Sequence, residues 1–79
     1  MQKVGVDCSF GQDGSVQIKK VLLNGRWLPV GQGRQWGDEN GRHVLIMLPG
    51  DEVRELVLPP GTLRWQLLDP RQHQKIQMV

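Results

Sequence analysis

The chain contains no alanine. Alanine is the best helix former, with no side-chain entropy to lose and no polar group to bury, so a helical domain of this length normally uses several. Twelve Val and Ile residues stand instead. Their branched side chains restrict χ1 and suit the pleated surface of a sheet. Ten glycines and five prolines fall at regular intervals and cut the sequence into short apolar runs. Such runs, separated by turn residues, are the pattern of a small sandwich or barrel, and the expected class is all-β.

Val4, Val6, Cys8 and Phe10 alternate with Gly5, Asp7 and Ser9, which predicts a half-buried strand with the first set facing inward. Gly11-Gln12-Asp13-Gly14 offers a hairpin turn. Val16, Ile18 and Val21-Leu22-Leu23 predict a second strand. Its alternation breaks at Lys19-Lys20, where a bulge rephases the faces. Asn24-Gly25 is the strongest short hairpin signal, because a type I′ turn needs positive φ at both central positions. Arg26-Trp27-Leu28-Pro29-Val30 returns, and Pro29, having no N–H, assigns this strand to an edge or a bulge. Gly31-Gln32-Gly33 is a corner, after which Arg34-Gln35-Trp36 resumes the strand, and Gly37 to Gly41 reads as an exposed loop.

His43 to Leu48 reads as a central strand covered on both faces, stopped by Pro49-Gly50-Asp51. Glu52 to Leu58 is another strand, bounded by Pro59-Pro60-Gly61. In Thr62 to Leu68 the residues Leu63, Trp65 and Leu67 are expected on one side. About six strands joined by short turns form an antiparallel meander, expected to curl into an SH3-like barrel because open edges invite aggregation. The alternative is a small β-sandwich or an open sheet completed by dimerisation. The expected organisation is one all-β domain over residues 1–70, with 71–79 a polar tail or an added edge strand in which Ile76 and Met78 keep strand spacing.

Ten Lys and Arg against eight Asp and Glu give a net charge of +2, which permits an acidic partner without demanding one. One cysteine allows no internal disulfide. No apolar run approaches the roughly 20 residues that cross a bilayer, so no membrane span is expected. The opening residues, Met1 to Asp7, carry no apolar signal region and meet an acid early, so a cytoplasmic protein is expected.

The parts for catalysis are few, and no enzyme, cofactor or metal is expected. Cys8 is in phase with the inward residues and reads as a core thiol. His43 and His73 lie far apart and match no zinc spacing. His43 is expected to find a backbone partner or solvent. Most carboxylates fall in turns. Glu55 stands out because it shares a strand face with Val53 and Val57, and it is expected at a solvated position, paired with a basic residue across the sheet. Gly31-Gln32-Gly33 lacks the lysine and helix of a phosphate loop.

Each tryptophan has an arginine near it: Arg26-Trp27, Arg34-Gln35-Trp36 and Arg64-Trp65. Aromatic platforms among cations suit single-stranded nucleic acid, since bases stack while phosphates are neutralised. Strand alternation also sends the Arg and Trp of an adjacent pair to opposite faces, which leaves Trp27 and Trp65 to fill the core. Trp36, at the border of a polar loop, is the least committed to it. Two functions are therefore expected. The first is an interaction module that binds a protein partner, or itself, through a strand edge. The second is a nucleic-acid-binding barrel using Arg26, Arg34, Arg42 and Arg64 with Trp36.

Overall fold

A computed structural model describes residues 2–69. These residues form strands and turns with no helix. The strands are β1 (Gln2–Phe10), β2 (Val16–Leu23), β3 (Arg26–Pro29), β4 (Gly31–Asp38), β5 (Gly41–Leu48), β6 (Glu52–Leu58) and β7 (Trp65–Leu67). All pairings are antiparallel, in one sheet of order β3-β2-β1-β7-β6-β5-β4. The expected six strands become seven because Pro29 and Val30 break the return strand into β3 and β4. The expected single meander becomes two, β1-β2-β3 and β4-β5-β6-β7, joined where β1 pairs with β7.

The sheet curls into a half-barrel, and its two meanders meet where β4 approaches β2. Side chains make that junction. Gln35 Oε1 accepts from the Val16 N–H at 2.9 Å, and Gln32 Oε1 from the Ile18 N–H at 2.7 Å. The Nε2 groups of both glutamines donate to the Val16 carbonyl at 2.9 Å. Two side-chain amides thus stand in for a strand ladder along β2, where leaving backbone groups unpaired would be costly.

The bulge falls where expected: Asp7 pairs with Lys20 and Cys8 with Ile18, so Lys19 is the extra residue. Ile18 and Val21 consequently both face the core. A second irregularity, between Gln32 and Gln35 of β4, lies at the predicted corner. Asn24 (φ 53°) and Gly25 (φ 77°) form the predicted two-residue turn. Gly41 (φ 122°) is fixed for a second reason, because a Cβ there would strike the Leu58 carbonyl. The loop before it is shorter than expected, with β4 running on to Asp38 and only Glu39-Asn40 turning the chain.

The core holds Val16, Ile18, Val21, Val44, Ile46, Leu48, Leu56, Trp65 and Leu67, with Cys8 packed against it. Three expected core residues lie outside. Trp27 is 52% exposed, because the two-residue turn pairs it with Leu22 and gives the inward register beside Val21 to Leu28. Leu63 is 92% exposed: the chain from Thr62 to Arg64 is a bend held to Pro59, and the strand begins only at Trp65. Phe10 is 58% exposed at the end of β1, beyond the core's reach. The possible edge strand at 71–79 lies outside the described residues. Among those described, no helix is long and apolar enough to cross a membrane.

Candidate functional site

Two features stand apart from the core: an ionic cluster on the outer face and a cleft along β1. On β5, Val44, Ile46 and Leu48 point inward, so alternation turns His43, Leu45 and Met47 outward. Register sets His43 between Trp36 and Val57, and Leu45 opposite Glu55. His43 Nδ1 lies 2.7 Å from Glu55 Oε2, and its Nε2 lies 2.8 Å from Asp38 Oδ1. The Trp36 ring stacks on the imidazole, with centroids 5.0 Å apart and planes 2° off parallel. Arg34 Cζ sits 5.0 Å from the centroid of the same indole.

An imidazole donates from both nitrogens only when protonated, and here each nitrogen faces a carboxylate. Burial by itself pulls the His43 pKa down, but the bonds to Glu55 and Asp38 outweigh it and hold His43 above its ordinary value. The same bond from His43 holds the exposed Asp38 carboxyl below its usual range. Glu55 is fully buried, and its Oε1 has no hydrogen-bond partner among the described residues. The expectation of a solvated Glu55, and of a His43 satisfied by backbone or water, is therefore corrected. His43 meets one of the two Glu55 oxygens, and Asp38 takes the second imidazole nitrogen. While protonated, His43 donates from both nitrogens and has no lone pair to offer as a base. Among the described residues no group of His, Cys, Asp and Glu is placed to hold a metal.

The cleft lies where β1 outruns β7. Only Gln2, Lys3 and Val4 pair with β7, while Gly5 to Phe10 pair with β2 on their other side. Beyond Trp65 the Pro59-Pro60-Gly61 turn carries the chain away, with the Thr62 N–H and Oγ1 bonded to the Pro59 carbonyl. The space between measures about 390 Å³ and is lined by Val6, Cys8, Phe10, Leu63 and Trp65, with Lys3 and Arg64 as its charged residues. Burial pushes the Cys8 thiol up, and a hydrogen bond from the Trp65 side chain offsets this only in part, so the sulfur is a poor nucleophile.

The five arginine and tryptophan positions expected to bind a ligand are spread over these features. Arg34 and Trp36 meet at the ionic cluster. Arg64 borders the β1 cleft. Arg42 donates to the Gly14 carbonyl at 2.9 Å, and Arg26 is exposed on β3. Sequence reasoning expected a basic partner for Glu55 across the sheet but did not name His43, although a signal existed. A hairpin centred on Gly50 sets His43 opposite Val57 and Leu45 opposite Glu55. No family model, curated protein or solved structure matches the chain.

Proposed function

We propose that this protein is a small non-enzymatic interaction module that binds an extended segment of a partner protein along the free edge of β1. One observation carries the reading: Gly5 to Phe10 have no strand partner on the cleft side among the described residues, although the cleft lies beside the core. In strand addition, main-chain hydrogen bonds give affinity and alternate side chains give specificity. Six residues of edge, at roughly 3.3 Å each, offer about 20 Å for pairing. Phe10 and Leu63, both exposed, would be covered by the added segment. A free thiol at Cys8 fits a cytoplasmic setting.

The test is selection of a displayed random octapeptide library on the immobilised protein, with amide chemical shifts mapping where a winning peptide sits. The reading expects shifts at residues 5–10 and 62–65. Shifts confined to the Trp36 or Trp27 surroundings refute it, and a concentration-dependent dimer by sedimentation names a second copy as the partner.

A second reading, single-stranded nucleic acid, is favoured at a different place from the one the sequence suggested. Both Arg34 and His43 already contact the Trp36 ring, whereas Trp27 is exposed beside Lys20 and Asp7. It expects quenching of tryptophan fluorescence by short oligonucleotides, weakening steeply with salt and lost in Trp27→Leu.

A further inference from the structure

The chemistry of the β1 cleft narrows the partner, given the strand-edge reading on which this step rests. We propose that the segment it accepts is acidic as well as apolar, with apolar side chains at alternate positions and a carboxylate that meets Lys3 and Arg64. The floor is apolar at Val6, Cys8 and Trp65, and Phe10 and Leu63 extend that surface into solvent. Lys3 and Arg64 are the only charged residues lining the cleft among those described, and both are cations. Asp7, on the edge itself, is not among the residues that line the cleft and lies with Lys20 and Trp27, although its charge is felt at Cys8. An entering carboxylate therefore meets two cations among the described residues that line the cleft. A second copy fits less well. Two-fold pairing presents the same patch from both sides. It would bring a second Lys3 and a second Arg64 to a cleft whose charged lining residues are both cations.

The treatment of another unpaired stretch, on β2, strengthens the case. Residues 16–19 of β2 also lack a strand partner on the β3 side, yet Gln32 and Gln35 bond the Val16 and Ile18 groups there, and the Val30 N–H donates to the Lys19 carbonyl at 3.3 Å. Nothing equivalent caps Gly5 to Phe10 among the described residues. Among the described residues the outer edge of the terminal strand β3 is unpaired too, but the uncapped stretch of β1 is the one that lies beside an apolar cleft with a basic rim.

The experiment uses the octapeptide selection, read for composition, followed by binding of the best peptide to the wild type and to Lys3→Glu/Arg64→Glu. Both substituted residues are exposed, so the variant is expected to keep the fold, which its amide spectrum verifies. The selected pool should be enriched in Asp and Glu over its input, with apolar residues at alternate positions. Charge reversal should weaken binding by about fivefold or more, and salt at about 0.5 M should weaken wild-type binding in the same direction. Methylating alternate backbone nitrogens along one edge of the peptide should abolish binding. Equal binding to the reversed variant, with methylation still abolishing it, overturns the acidic partner and leaves the strand-edge reading standing. Binding that survives methylation overturns the strand-edge reading itself. A selection that enriches nothing overturns both.

Discussion

Replacing His43 with leucine is expected to destabilise the fold by about 3–5 kcal/mol, because it strands a buried carboxylate. Glu55 is 0% exposed, its Oε1 is without a partner among the described residues, and its Oε2 is held by His43 Nδ1 at 2.7 Å. Without the imidazole, both oxygens would lie in a low dielectric unpaired. A domain of this length holds only about 4–12 kcal/mol in total, so the variant would be marginal. Glu55→Leu is expected to cost less, about 1–3 kcal/mol, because it removes the buried charge and leaves one imidazole N–H unpaired beside the bond to Asp38. The double variant His43→Leu/Glu55→Leu removes both groups. Replacing a buried pair by apolar side chains is often neutral or stabilising, so the double variant should be more stable than His43→Leu alone. Urea unfolding followed by tryptophan fluorescence gives the three differences. The cycle should show a coupling of about 2 kcal/mol or more. Additive losses would refute the argument that the two side chains exist to satisfy each other.

The same cluster sets a pH dependence. The folded pKa of His43 is raised above that of the unfolded chain, so its stabilisation is fully present below about pH 6.5 and is lost as pH rises through the folded pKa. Asp38 is depressed, so its contribution is present above about pH 3.9 and is lost as pH falls through its lower folded value. Stability should therefore be greatest between these limits, and His43→Leu should flatten the alkaline side. Imidazole proton shifts, with His73→Gln to assign the second histidine, report the His43 titration directly, and a midpoint at or below about 6.5 would contradict the paired geometry. Gln35→Ala and Gln32→Ala should each cost about 1–3 kcal/mol by leaving a β2 amide unsatisfied. Faster hydrogen exchange at Val16 and Ile18 respectively checks the cause. Trp65→Ala should cost about 3–5 kcal/mol, as a buried aromatic does, while Leu63→Ser should stay within about 0.5 kcal/mol of wild type by thermal or urea unfolding.

Local chemistry carried most of what the sequence disclosed. Asn24-Gly25 names its own turn, and the lysine pair breaks a period of two that only a bulge restores. What failed was the step from face to burial. Alternation groups Phe10 with Val6 and Cys8, but it cannot say that the core ends before Phe10. Leu63 is in phase with Trp65 only if the strand is continuous, and the turn from Pro59 breaks it. Trp27 could have been placed by counting back across the two-residue turn, which pairs Leu28 with Val21. The histidine–glutamate pair was also countable, from the hairpin at Gly50, yet Glu55 reads as polar and so as wet unless its partner is known. The free edge of β1 was not legible at all, because it depends on where β7 begins.

The two glutamines of β4 explain why a chain this small can leave an edge open. Curling a seven-stranded sheet brings β4 near β2, and closing that seam with a backbone ladder would require β4 to run in register with it. A side-chain amide offers a donor and an acceptor at the end of a flexible stem, so it can satisfy an edge that backbone geometry does not match. Gln32 and Gln35 use both groups in this way, three residues apart on either side of the β4 irregularity, and so the seam needs no register. The barrel is then held on the β4 side without any demand on β1. Had the seam required a continuous ladder around the barrel, β7 would have had to pair along the whole of β1. It pairs over three residues, the Pro59-Pro60-Gly61 turn diverts the chain that precedes it, and no strand among the described residues pairs with the rest of that edge.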